Sequence, residues 1–186
     1  MKKIKILGFA GSLRLNSYNL KLLNLFQSIL GDQVEMEIFP LSEIPLYNAD
    51  LEEAHFPPQI EMFKEKIRSA DGIIISSPEY NYSVPGVLKN AIDWVSRPPK
   101  NIPFENKPGI IMSASTSRFG GARSQQHLRQ ILSAVGMLLM PQPELYIPKA
   151  DRLFDSNHPM DDASIERIRK FAHLALAFIQ KQDRSC

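Results

Sequence analysis

The sequence predicts an α/β fold: a five-stranded parallel sheet of order 2-1-3-4-5 with helices on both faces. Three observations lead there. Short apolar runs alternate with amphipathic stretches at helical spacing along the 186 residues, the β-α-β-α pattern of a parallel sheet. The second strand alternates apolar with acidic residues, as a half-exposed edge does, while the first, third and fourth are predominantly apolar and suited to burial on both faces. The fifth is broken by Pro141 and Pro143, which belong at an edge or a bulge.

Taken in order, residues 4–10 form the first strand. Residues 17–30 read as a helix with Leu20, Leu23 and Leu30 among its apolar positions. Residues 34–41 set Val34, Met36 and Ile38 against Glu35 and Glu37, the edge strand. Residues 58–70 carry Ile60, Phe63 and Ile67 at helical spacing. Residues 72–76 contain Ile73-Ile74-Ile75, a short buried strand. Residues 85–96 form a helix with Leu88, Ala91, Ile92 and Val95 on one face. Trp94 falls off that stripe and reads as an aromatic with spare surface, suited to anchoring a second subunit; cover by the Arg97-Pro98-Pro99 loop is the alternative. Residues 107–114 are the fourth strand. Residues 122–135 are a helix with Leu128, Ile131, Leu132 and Val135 inward. Residues 138–147 are the interrupted fifth strand, and residues 164–182 a long closing helix. Residues 1–186 read as one domain, with Pro57-Pro58 and Pro98-Pro99 as rigid connections and not linkers.

Composition excludes several classes. The net charge of +2 with scattered lysines and arginines argues against nucleic acid. No apolar run approaches about 18 residues, so no membrane span is expected. The chain enters a strand almost at once, leaving no room for a signal peptide. Cys186 is the one cysteine, which excludes a disulfide within the chain. His55, His127, His158 and His173 lack ligand spacing, so no metal site is expected. A soluble cytoplasmic protein fits these features.

In the expected topology the loops after strands one, three and four share one rim, where ligands of such sheets bind. The first loop, Gly11-Ser12-Leu13-Arg14-Leu15-Asn16-Ser17-Tyr18-Asn19, joins a buried strand to a helix. Helix N-termini offer unpaired N–H groups and a positive dipole end. Ser12, Ser17 and Asn19 add neutral donors and Arg14 a charge-assisted one, so the loop suits an anion; capping alone also recruits Gly, Ser and Asn. The second loop, Ser77-Pro78-Glu79-Tyr80-Asn81-Tyr82-Ser83-Val84-Pro85-Gly86, is stiffened by proline at both ends. Its backbone N–H groups suit the polar edge of a flat heterocycle, with Tyr80 or Tyr82 covering a face; a packed turn with surface tyrosines is the plainer alternative. The third, Ser113 to Gly121, follows hydroxyls with Gly120-Gly121, which permits close backbone approach. Neither G-x-G-x-x-G nor G-x-x-x-x-G-K-[ST] occurs, so a monophosphate carrying a planar ring fits better than a dinucleotide or a hydrolysed triphosphate.

These residues carry a resemblance. G-S-L-R-x-x-S-x-N at Gly11 to Asn19 resembles the phosphate loop of NAD(P)H-dependent FMN reductases. The run from Ser77 through Gly86 and on to Val87-Leu88-Lys89-Asn90-Ala91-Ile92-Asp93-Trp94 resembles that family's isoalloxazine loop and following helix nearly residue for residue. Gly120-Gly121-Ala122-Arg123 with Leu128-Arg129 resembles its third segment. The likeness runs from strand one to the fourth helix; residues beyond Ala150 carry no diagnostic motif.

The resemblance implies a flavodoxin-like three-layer sandwich and a family that includes quinone, azo-dye and chromate reductases. It places Ser12, Arg14, Ser17 and Asn19 around the FMN phosphate, with Tyr18 among the cofactor-binding residues, Pro78, Glu79, Tyr80 and Asn81 beside the isoalloxazine, and Ser115 and Gly120 near the ring or the ribityl chain. It implies bound FMN, NAD(P)H as co-substrate, an oxidised small-molecule acceptor served by ping-pong hydride transfer, no catalytic side chain, and a homodimer or tetramer. The Thr116-Ser117-Arg118-Phe119 segment is variable in that family and bears on substrate choice; Arg118 is a candidate contact for a 2′-phosphate. Asp93 is expected to face solvent or pair locally. The rival reading is a flavodoxin-type electron carrier, against which the near-neutral charge weighs, since such carriers are acidic.

Overall fold

The computed structural model describes residues 3–54, 56–100, 102–155 and 160–183. His55, His158 and Cys186 lie outside the described residues. The sheet has the order β2-β1-β3-β4-β5, with β6 also on β4. Its strands are β1 (Ile4–Ala10), β2 (Val34–Ile38), β3 (Gly72–Ser76), β4 (Pro108–Ala114), β5 (Leu138–Leu139) and β6 (Leu145–Ile147). All pairings are parallel, with Ile6 opposite both Met36 and Gly72. The helices are α1 (Tyr18–Leu30), α2 (Ala49–Ala54), α3 (Pro58–Ser69), α4 (Gly86–Val95), α5 (Ala122–Ala134), α6 (Ala150–Leu153) and α7 (Asp162–Asp183).

Side chains alternate across a strand, so each central strand feeds two cores. Ile6 and Ala10 of β1, Ile74 of β3 and Ile110 and Met112 of β4 face α1 and α7, where Phe26, Phe171 and Ile179 pack. Leu7 and Phe9, Ile73 and Ile75, and Ile111 face α3, α4 and α5, where Phe63, Trp94 and Leu128 pack. The result is the three-layer flavodoxin-like sandwich. Close approach at Gly72 seats α7: a Cβ there would stand 2.6 Å from the Ile179 side chain.

Most elements sit where the sequence puts them, with informative differences. The fifth strand is two short pieces on the same edge, β5 pairing with Pro108 and Gly109, and β6 with Met112 to Ala114. Pro141 and Pro143 fall between them, where their missing or constrained donors interrupt the ladder. The second strand ends at Ile38, because Phe39 and Leu41 turn into the α3 side of the core. The short helices α2 and α6 were not anticipated.

Trp94 requires a correction. It is fully buried and offers no surface to a partner. The segment before α3 wraps over the second face of α4. Trp94 Nε1 donates to the Pro45 carbonyl at 2.8 Å, and the Tyr47 and Phe56 rings meet the indole edge-on at 5.0 and 5.5 Å. Asn90 secures the same segment, donating to Pro45 O and accepting from the Tyr47 N–H, both at 2.8 Å. Asp93 pairs locally with Lys89 at 2.6 Å.

Candidate active site

The carboxyl ends of β1, β3 and β4 bring the three loops to one rim. They enclose a cleft of about 130 Å³ lined by Ser12, Arg14, Ser17, Tyr18, Asn19, Pro78, Glu79, Tyr80 and Ser115, with Ala114 and Thr116 in addition. Asn81 and Gly120 are absent from its walls.

The first loop is anchored at its ends and open between them. Gly11 N–H donates to Ser76 O at 2.9 Å, and Ser17 N–H to Arg14 O at 3.1 Å. Ser17 caps α1, its Oγ accepting from the Leu20 N–H at 3.3 Å, which leaves its own hydroxyl hydrogen to donate. Among the described residues, the backbone N–H groups of Ser12, Leu13, Leu15, Asn16, Tyr18 and Asn19 have no hydrogen-bond partner. The exposed Arg14 guanidinium pairs with no carboxylate among them either. Unpaired donors, a helix N-terminus and a bare guanidinium fit a phosphate dianion.

Asn19 is buried at the base of α1. Its Oδ1 accepts from Ser76 Oγ and from the Ala114 N–H, both at 3.0 Å, and its Nδ2 donates to Ala114 O at 2.9 Å. One amide hydrogen remains. The side chain thus ties the start of α1 to the ends of β3 and β4.

The second loop is internally paired. Tyr80 N–H donates to Ser83 O and Ser83 N–H to Tyr80 O, at 3.1 and 3.0 Å, across a turn with φ of +48° at Asn81 and +68° at Tyr82. Positive φ at both central residues is the primed type I turn, which asparagine tolerates and tyrosine rarely adopts. Asn81 therefore sits at the tip of the turn, outside the cleft wall. The Glu79 carboxylate does not project free into the site. Its Oε1 accepts from Arg123 Nη1 at 3.0 Å, and its Oε2 from the Arg123 and Ser124 N–H groups at 3.0 and 3.4 Å. It caps α5, whose first residue follows the left-handed Gly121 and has no side-chain cap of its own. Ser83 Oγ and His127 Nδ1, 2.9 Å apart, pin the turn to the same helix.

The third loop crosses over the edge strand. Ser115 N–H donates to Ile147 O at 3.0 Å, and the Ala150 and Lys149 N–H groups return to Ser115 O and Ser117 O. Gly120 has φ +61°, and a Cβ there would lie 3.0 Å from the Pro148 nitrogen and from Tyr146 Cβ. It shapes the loop from below and does not border the cleft, which only a residue without a side chain can do here. Beneath it the Tyr146 hydroxyl donates to Glu144, which also accepts from Arg129 Nε at 3.0 Å. Burial first, and then that carboxylate, push the Tyr146 phenol up to about 12.

Chemically, the cleft can hold a phosphate monoester at α1 and a flat ring against the Pro78–Tyr80 edge. Among the described residues, no group of three or more His, Cys, Asp or Glu is placed to hold a metal ion. A sequence-family model for NADPH-dependent FMN reductase matches residues 4–152. The chain belongs to the NADPH-dependent FMN reductase family. It is an oxidoreductase that works with FMN and takes electrons from NAD(P)H.

The reductase is 46% identical over 168 residues to an NAD(P)H-dependent FMN reductase of Pseudomonas aeruginosa, covering 90% of each chain. It is 45% identical over 145 residues to a quinone reductase of Escherichia coli K12, covering 77% of each. Among solved structures it matches a flavoenzyme NAD(P)H:(acceptor) oxidoreductase from Paracoccus denitrificans at TM-score 0.88 and 30% identity, covering 96% of this chain and 98% of that one. The electron-carrier reading is not favoured, since these relatives are named as reductases. α7 lies beyond the residues matched by the family model but fills the core beside α1.

Sequence reasoning missed the Glu79–Arg123 clamp, although Arg123 stood in the third motif. Thr116, read from the sequence as bearing on substrate choice, lines the same cleft.

Proposed function

We propose that the reductase passes hydride from NAD(P)H to a small oxidised acceptor, a quinone first among them, with both substrates using the cleft in turn. When bound, FMN supplies the hydride relay. Arg14, the unpaired N–H groups of the first loop and the Ser17 hydroxyl hold its phosphate; Ser12, Tyr18 and Asn19 complete that wall. Pro78, Glu79 and Tyr80 form the edge for the isoalloxazine, with Ser115 opposite and Asn81 and Gly120 shaping the loops behind. Among the described residues we assign no side chain as acid, base or nucleophile: Glu79 is committed to α5 and His127 is engaged by Ser83. The observation that carries this reading is the contrast between six unpaired amides in the first loop and a self-paired second loop facing them.

The acceptor class draws support from relatives named as quinone reductases. Leu13, Leu15 and Tyr80 are exposed beside the cleft, apolar surface that a second subunit would cover in a dimer or a pair of dimers. Among the described residues no helix is long and apolar enough to cross a membrane. We place the enzyme in the cytoplasm as a single domain, acting on small molecules and not on nucleic acid. The test is direct: the purified protein is yellow, bleaches under anaerobic NADPH, and regains colour with a quinone, with parallel initial-rate lines. A colourless protein that fails to take up added FMN overturns the reading. Sedimentation at micromolar concentration decides the assembly.

A further inference from the structure

A second feature stands at the rim, outside the cleft walls. Tyr82, Arg123, Phe119 and Arg118 form a continuous stack from the second loop to the third. The Arg123 guanidinium lies over the Tyr82 ring at 4.0 Å and over the Phe119 ring at 4.4 Å, and the Arg118 guanidinium lies over Phe119 at 4.8 Å. The inner cation is neutralised, because Arg123 pairs with Glu79 at 3.0 Å. The outer one is not: Arg118 is exposed and pairs with no carboxylate among the described residues.

The stack is held in place from behind. Ser117 Oγ accepts from the Phe119 N–H at 3.3 Å, and the Gly120 backbone is packed against Pro148. Lys149, whose N–H donates to Ser117 O at 3.3 Å, brings a second exposed cation to the same loop. A guanidinium with its face on a ring keeps its in-plane N–H fork free, and that fork matches the oxygens of a phosphate monoester.

Position gives the choice of phosphate. The stack begins at the turn that borders the ring site and ends at Arg118, two residues from the cleft-lining Thr116. A nicotinamide dinucleotide with its ring on the flavin leaves its adenosine beyond a pyrophosphate, at the rim. NADPH differs from NADH there by one phosphate monoester, on the adenosine 2′-oxygen. Resting on the donor reading above, we propose that Arg118, pre-oriented by Phe119, is the residue through which this reductase reads that 2′-phosphate and prefers NADPH.

The experiment uses FMN-loaded wild type, Arg118→Ala, Arg118→Lys and Phe119→Leu. Steady-state constants are measured with NADPH and NADH, and adenosine 2′,5′-bisphosphate and AMP are titrated calorimetrically. Wild type is expected to favour NADPH. Arg118→Ala lowers the NADPH-to-NADH ratio of kcat/KM by about tenfold at low salt, through KM, and leaves the NADH constants unmoved. The bisphosphate weakens by the same factor while AMP does not. Arg118→Lys recovers part of the loss, and Phe119→Leu falls between. The wild-type preference shrinks as salt rises. A wild type without preference, an unchanged ratio in Arg118→Ala, or equal weakening of both nucleotides overturns the proposal. If neither nucleotide bleaches the wild-type flavin, the donor reading fails instead, and the bisphosphate titration still judges Arg118.

Discussion

The first and second loops face each other across the cleft and are built on opposite principles. The first leaves six backbone donors and one guanidinium unpaired. The second closes on itself between Tyr80 and Ser83 and commits Glu79 to three donors of α5. An unpaired polar group at the surface loses little while water serves it, and gains when an anion replaces that water. A loop that must present a fixed edge to a ring cannot leave its own bonds open. One wall is therefore made to receive and the other to keep its shape, and mutations should separate these roles.

The largest effect is expected at Arg14. Arg14→Ala raises the FMN dissociation constant by about ten- to a hundredfold, the range for a lost charge-assisted contact, with an unchanged melting temperature for the apoprotein. Flavin fluorescence quenching measures the first and calorimetry the second; equal affinity would remove Arg14 from the site. Glu79→Ala should show the reverse profile. Removing a nearly buried carboxylate that serves three donors costs about 2 kcal/mol of folding stability by urea denaturation, and affinity falls only as the turn loosens. If stability holds and affinity alone collapses, the two walls do not divide the work as described.

A smaller effect tests the turn itself. Asn81→Gly is expected to be near neutral, whereas Asn81→Val, a β-branched residue at φ +48°, costs about 1 kcal/mol. The smallest effect lies away from both loops. Glu52 accepts from Arg97 Nε at 3.0 Å and from the Tyr47 hydroxyl at 2.9 Å, and the Arg97 bond holds its carboxyl below the ordinary value. A depressed folded pKa gives stability that is present above the unfolded carboxylate value and lost as pH falls through the folded one. Glu52→Gln should lower the melting temperature slightly at neutral pH, converge with wild type in acid, and leave flavin affinity unmoved. A flavin effect would mean that the clasp over α4 reaches the cleft.

What could be read from the sequence was local. β1 falls on residues 4–10 as expected, because a run that is apolar except for Lys5 meets Gly11 and Ser12. The two edges announced themselves by alternation and by proline. The first-loop donors were legible because a strand running into Ser, Arg and Asn needs no distant partner to be noticed. What escaped was made by residues far apart in the chain. Trp94 is buried by Pro45, Tyr47 and Phe56, and Glu79 meets Arg123 across 44 positions; no periodicity within a helix encodes either contact. α2 is six residues with acidic positions in its first turn, too short to display a helical repeat. Gly120 was singled out for its lack of a side chain, but whether that space faces a ligand or Pro148 depends on the path of the edge strand.

Asn19 has a consequence for the entropy of cofactor capture. One buried amide fastens the first turn of α1 to the ends of the neighbouring strands β3 and β4. The Tyr18 and Asn19 amides at the start of α1 are thus ordered by folding, not by the ligand. Association then carries little conformational cost of its own, and its free energy passes almost undiminished into retention of the flavin. Cutting that fastening with Asn19→Leu would leave every charge at the rim in place and still weaken binding, by returning the ordering of the loop to the moment of encounter.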